Sequence, residues 1–372
     1  MLRFLIFFLL FIFYSDLQAQ GRKGIGLTLS NHTGGIIKHT DKLTFTPPSF
    51  SSGLEATTTF RTYGRKDWEA WRNYPILGLS AHWFNLGSDQ LGHAIGFFPF
   101  VDVPLVRRPQ WQVYFQVGSG IAWLSQRYDR IRNPLQNAIG SNVNNVSAFR
   151  IHVDYKLHPE WLLTGGFSFT HYSNGQAQIP NFGINVIGGM LGVQWTPRPL
   201  LPEDYQSAGM DKKALRKWGI SAHAGLALKE YFATGGPQYP VYIGSLAGLY
   251  QVSRINRLYL GVEYEFNKGV YTFSKLNWQH DSDNERTWAA SRIMAFVGEE
   301  FLFGDWAILL QAGTYLGNFG LLIPFPVYTK LAIRYYLPPL PKQRTRFFGG
   351  VYMKSHMITA EYISVGMGMT LE

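Results

Sequence analysis

The sequence predicts an all-β fold, an antiparallel barrel built for an outer membrane, and three observations carry that expectation. Residues 1–20 have the layout of an export signal: Arg3, an apolar run from Phe4 to Tyr14, and Leu17-Gln18-Ala19 as a cleavage tripeptide. That run is short for a spanning helix, and no later stretch approaches the roughly 18 apolar residues such a helix needs. Composition is the second observation. Aromatic residues make up 16% and charged residues only 16%, against about a quarter charged in ordinary soluble domains. The third is texture: segments of about ten residues alternate apolar and polar side chains between Gly/Pro/Asn-rich turns, as barrel strands do. In lipid only helices and closed barrels satisfy every backbone N–H and C=O, which leaves barrels for this chain.

In chain order, alternation is clear over Ile25–His32, Tyr74–Trp83, Ala94–Leu105, Trp111–Leu124, Val146–Leu157, Trp161–Ser173 and Asn185–Trp195. No stretch keeps a 3.6-residue period; Asp211–Lys217 is at most one helical turn. The pattern breaks at Thr196–Lys213, where Thr-Pro-Arg-Pro-Leu-Leu-Pro precedes Glu203, Asp204, Asp211 and two lysines. The halves on either side echo one another. Gln116-Val-Gly-Ser-Gly-Ile resembles Gln311-Ala-Gly-Thr-Tyr-Leu, and the stretch from Phe149 resembles that from Leu331. Gly165-Gly-Phe-Ser-Phe-Thr-His has a counterpart in Gly349-Gly-Val-Tyr-Met-Lys-Ser-His, and Ile187-Gly-Gly-Met-Leu-Gly in Val365-Gly-Met-Gly-Met. Echoes kept in order favour a duplication. The expected organisation is an export signal (1–20), a barrel repeat (21–197), a linker (198–214) and a second repeat (215–372), each repeat with about eight strands. One barrel of about sixteen strands is the alternative, and the long linker favours two, because periplasmic turns are short.

Charge and residue counts exclude several chemistries. With no cysteine there is no disulfide framework and no thiolate nucleophile. A formal charge of +10 suits a polyanionic partner such as a phosphorylated glycolipid, whereas nucleic acid is not expected of an exported chain without a binding motif. The ten histidines are scattered, with no His-Glu-x-x-His, so neither a metal nor a cofactor is implied. Trp and Tyr near strand ends read as interfacial belts.

One constellation stands apart. The strand Trp161–Ser173 ends in His171-Tyr172-Ser173-Asn174-Gly175, and side chains two apart share a strand face. His171 and Ser173 therefore lie on the face of Phe167 and Phe169, opposite Ser168 and Thr170. In a membrane barrel that greasy face meets lipid. A serine hydroxyl needs a neighbouring base to become a nucleophile, and Asn174 and Gly175 allow a sharp turn whose N–H groups can hold an oxyanion. The spacing His-x-Ser alone is common. A second instance, His280-Asp281-Ser282, lies in the polar stretch Gln279–Arg286 and reads as exposed loop.

The longer stretch is more specific. His171-Tyr-Ser-Asn-Gly175 followed by Pro180-Asn-Phe-Gly-Ile-Asn185 resembles the active-site signature of the lipid A 3-O-deacylase (PagL) and acyloxyacyl hydrolase-like outer-membrane barrel family. The resemblance is close over residues 161–195 and extends in texture over 21–195. It implies an eight-stranded barrel of the bacterial outer membrane that hydrolyses an ester-linked acyl chain of lipid A, with lipopolysaccharide as substrate. It further implies His171 as general base, Ser173 as nucleophile, and Asn174, Gly175 and Asn181 as oxyanion or positioning groups. The family places a glutamate where this chain has Asn185. A neutral amide still fixes the imidazole tautomer, though it cannot stabilise imidazolium by charge. Asp154 and Glu160 are the candidate replacements for that charge. His356 has Ile358, not serine, two residues on, so the second half lacks the machinery. Two alternatives stand: a catalytically silent barrel that binds glycolipid or scaffolds a partner, and a channel. The small neutral residues Ser168 and Thr170 on the inward face argue against the channel.

Overall fold

A computed structural model describes residues 23–209, 217–316, 325–338, 344–356 and 359–371. The export signal, the end of the linker and all but Lys217 of the expected turn at 211–217 lie outside the described residues. Alternating sequences make sixteen antiparallel strands, and they close as two barrels, not one. The first contains β1 (Ile25–Ile36), β2 (Ser51–Arg61), β3 (Ile76–Asn85), β4 (His93–Arg107), β5 (Trp111–Leu124), β6 (Val143–His158), β7 (Trp161–Ser173) and β8 (Ile184–Trp195). The second contains β9 (Trp218–Glu230), β10 (Gln238–Gln251), β11 (Asn256–Asn267), β12 (Ser291–Phe303), β13 (Trp306–Leu316), β14 (Val327–Tyr336), β15 (Thr345–His356) and β16 (Thr359–Leu371). Each closes by pairing its first strand with its last: Ile36 faces Val186, and Ser221 faces Thr370. The four sequence echoes fall on β5 and β13, β6 and β14, β7 and β15, β8 and β16, eight strands apart in every case.

The outer walls are apolar. Leu29, Ile121, Phe167 and Leu191 of the first barrel stand exposed, as do Leu246, Leu260, Val297 and Val365 of the second. Exposed apolar bands this continuous need lipid against them. Aromatic side chains mark the ends: Trp161 and Trp195 pack with ring centres 6.3 Å apart at one end of the first barrel, and His93 lies 5.8 Å from Trp123 at the other.

Both lumens are filled. In the first, Arg150 donates to both oxygens of Glu55 and to Gln116, Ser80 donates to Glu55, and Tyr172 pairs with His82. Nearer the chain's N-terminal end of the barrel, Arg61 donates to Asp154. The opposite mouth is stopped by an apolar plug in which Leu43, Phe45, Leu91 and Ile139 from the loops pack on Phe84 and Phe98. In the second lumen Lys354 bridges Glu265 and Glu361, Lys330 meets Glu263, and Arg334 meets Glu300. Ser168 and Thr170 do face inward, but they are not typical of that face, which carries many charges. Those charges are paired across the lumen, and this filling, not neutrality, is what argues against a channel.

Among the described residues three short α-helices interrupt the strand pattern: α1 (Asp67–Trp71), α2 (Lys268–Leu276) and α3 (Asp283–Ala290). They are too short for a helical period to show in the sequence, and none is long and apolar enough to cross a membrane. Ser282, expected in exposed loop, caps α3: its hydroxyl accepts from Glu285 N–H while the Glu285 carboxylate accepts from Ser282 N–H.

Candidate active site

Strand parity puts the expected residues where the sequence reading has them. Tyr172, wholly buried, turns into the lumen and anchors the end of β7 through His82. His171 and Ser173 therefore share the outward parity of exposed Phe167, His171 half-buried and Ser173 buried. Across the β7–β8 ladder His171 faces Asn185 directly, and their side chains meet: His171 Nδ1 lies 2.5 Å from Asn185 Oδ1.

The chain of contacts continues to a residue for which the sequence held no signal. Asn185 Nδ2 lies 2.9 Å from His39 Nδ1, and His39 Nε2 lies 2.9 Å from the Phe182 carbonyl. A carbonyl only accepts, so His39 donates from Nε2, and in the neutral ring Nδ1 is then an acceptor. Asn185 Nδ2 therefore donates to His39, which turns Oδ1 towards His171. His171 must then donate from Nδ1, leaving a lone pair on Nε2. That nitrogen edge rests on backbone: a Cβ at Gly183 (φ +84°) would stand 2.6 Å from His171 Cε1. Closure of the barrel makes the encounter possible, because β1 pairs with β8 and Ile37 N–H donates to Asn185 C=O.

Ser173 is buried, and its hydroxyl makes no hydrogen bond among the described residues. The turn behind it is tightly made. Asn174 N–H donates to Asn181 Oδ1 at 2.9 Å, Asn174 Nδ2 donates to Ser141 Oγ at 2.7 Å, and Gly175 has φ +60°. So the Asn174 N–H is engaged, and its effect is to aim the Asn181 amide, whose Nδ2 remains the donor. Gly175 supplies the left-handed residue that the turn needs.

The two candidate carboxylates do not reach His171. Asp154 sits at an inward position, bonded to Arg61 in the lumen. Glu160 lies in the turn before β7, at the far end of that strand from His171. His356 is likewise inside its barrel, bonded to Tyr315 at 2.8 Å. Asn185 thus has the His39 ring, not a carboxylate, as its support.

Closed barrels with apolar outer walls, one of them carrying a polar His/Asn/His chain, define an outer-membrane barrel. Residues 52–194 match the family model described as lipid A 3-O-deacylase (PagL), and residues 216–372 match that of the acyloxyacyl hydrolase C-terminal domain. The chain belongs to this PagL and acyloxyacyl hydrolase family of outer-membrane barrels, a family of hydrolases. Among solved structures, the outer membrane enzyme PagL is 15% identical, with 45% of this chain and 97% of that chain covered and a TM-score of 0.33. OccAB4 of Acinetobacter baumannii (7% identity, 93% and 97% covered, TM-score 0.26) and OpdK of Pseudomonas aeruginosa (10%, 93% and 97%, 0.24) also match. At these scores the likenesses say nothing of chemistry. No curated protein matches the chain.

Proposed function

We propose that this protein is an esterase that removes a 3-O-linked acyl chain from lipid A or a related glycolipid in the outer leaflet. Ser173 attacks the ester carbonyl, His171 Nε2 accepts the hydroxyl proton and returns it to the leaving sugar oxygen, and water then releases the fatty acid from the serine. The Asn181 amide donates to the oxyanion. The acyl chain lies along the wall past Phe167 and Leu163, both exposed. Exposed Arg127, Arg130 and Arg132 offer pairing for lipid A phosphates. Their loop is tied to the site through Gly183 N–H to Ala138 C=O.

The observation that carries this reading is the chain Phe182 C=O, His39, Asn185, His171. In a serine hydrolase triad, an amide in place of the carboxylate is harmful chiefly when it turns and imposes the wrong imidazole tautomer. Here His39 holds the amide so that Nε2 stays basic. A silent glycolipid-binding barrel is the second reading, favoured by one fact, the buried and unbonded Ser173 hydroxyl.

Mass spectrometry of lipid A from cells expressing the full chain separates the two. The expected result is loss of one 3-hydroxyacyl chain, lowered by about 10³-fold or more in rate for Ser173→Ala. Unchanged lipid A in cells holding folded wild-type protein sinks the esterase and leaves the silent barrel.

A further inference from the structure

Among the described residues no strand of the second barrel carries an outward His/Ser pair, yet this barrel touches the first at the segment that follows Ser173. Glu230, the last residue of β9, and Gln238, the first of β10, face each other across their ladder. Three hydrogen bonds run from this pair to the turn of the first barrel. Glu230 N–H donates to Gln176 C=O at 3.0 Å, the Glu230 carboxylate accepts from Ile179 N–H, and Gln238 Nε2 donates to Ala177 C=O at 2.6 Å. A fourth contact is steric. A Cβ on Gly175 would stand 2.5 Å from Ile363 Cγ1 and 2.8 Å from Ile363 N, so that backbone lies directly on β16.

A second set of contacts holds the other end of the pair of barrels. Arg72, just after α1, donates to the carbonyls of Leu302 and Ile255, and its guanidinium sits 4.8 Å over the ring of Phe303. Trp68 packs edge-on to the same ring at 6.3 Å. Contacts at both ends oppose a pivot of the second barrel away from the turn it grips.

We propose that the second barrel is a clamp on the nucleophile turn, with Glu230 as a positioning residue. Residues 174–180 join Ser173 to Asn181, the nucleophile to the proposed oxyanion donor. The turn's own bonds tie Asn174 to Ala177, Gln178 and Asn181, the second barrel adds bonds at Gln176, Ala177 and Ile179, and a shift of about 1 Å in a reacting group costs on the order of 10²-fold in rate. Glu230 is 3% exposed, so its carboxylate meets Ile179 N–H away from water, where a charged acceptor binds a backbone donor strongly. The clamp therefore acts on kcat through the distance between Ser173 and Asn181, and not on substrate binding along the wall. This inference rests on the esterase reading for its kinetic part only.

The test uses the full chain, folded in lipid, with Glu230→Ala, Glu230→Gln and Gln238→Ala. Amide hydrogen exchange over residues 174–180 reads the clamp without any activity. Glu230→Ala should raise exchange at Ile179 at least about tenfold, Gln238→Ala about threefold, and Glu230→Gln little, because its amide oxygen still accepts. On lipid A, Glu230→Ala should lower kcat about tenfold or more with KM within twofold, and Glu230→Gln should restore most of it. Unchanged exchange in Glu230→Ala overturns the clamp. Raised exchange with unchanged kcat overturns its role in positioning. If wild type is inactive the esterase reading fails, and exchange still decides the clamp; if Glu230→Ala does not fold, Gln238→Ala decides it.

Discussion

The two barrels have the same strand count, the same closure and the same kind of filled lumen, and they differ in one parity. In β7, His171 lies six positions beyond Gly165, which keeps the histidine on the outer face with Ser173. In β15, His356 lies seven positions beyond Gly349, which turns that ring inward onto Tyr315. Successive strand residues alternate faces, so one residue of spacing moves an imidazole from a lipid-facing wall to the ion-paired interior. A duplicated barrel can thus keep its stability while its histidine serves packing in one copy and lies beside a serine in the other.

The comparison breaks most visibly if one lumen matters more than its twin. Arg150→Ala leaves Glu55 buried without its main cation, and Lys354→Ala does the same to Glu265 and Glu361. Each should cost about 3–5 kcal/mol in denaturant titration of the folded protein. A marked inequality would show that the barrels are not equivalent supports.

A smaller effect is expected at the relay. His39→Ala frees the Asn185 amide to turn, and kcat for lipid A deacylation should fall about tenfold, a part of what general-base catalysis supplies. Asn185→Glu should raise kcat, since a carboxylate stabilises the imidazolium that forms. Equal kcat in all three forms would remove His39 and Asn185 from the mechanism. Smallest of all, His356→Ala loses one buried hydrogen bond and should cost about 1 kcal/mol, with no change in the lipid A mass spectrum. Any loss of deacylation there would mean that the second barrel contributes more than support.

Much of this was legible in one dimension. Alternation, an apolar outer face and proline-rich punctuation follow from backbone satisfaction in lipid, so they are written residue by residue. The outward placement of His171 and Ser173 follows from parity alone. Strand β2 carries the pattern faintly because Ser51, Thr57, Thr58 and Thr59 dilute it, leaving Leu54 and Phe60 as its apolar markers. The carboxylates were misleading: Asp154 lies on the strand beside β7 but faces Thr164, seven positions from His171, and its even parity aims it at Arg61.

The sequence by itself determined the fold class, the two repeats and the face on which a serine and a histidine stand, because strand geometry ties each residue to its neighbours two positions away. Only closure of the sheet decided what supports them. Pairing β1 with β8 brings His39 across 146 positions to Asn185, and apposition of the barrels brings Glu230 to Ile179. Contacts between segments so distant leave no local pattern, since nothing in the chain near His39 or Glu230 differs from ordinary loop or strand end.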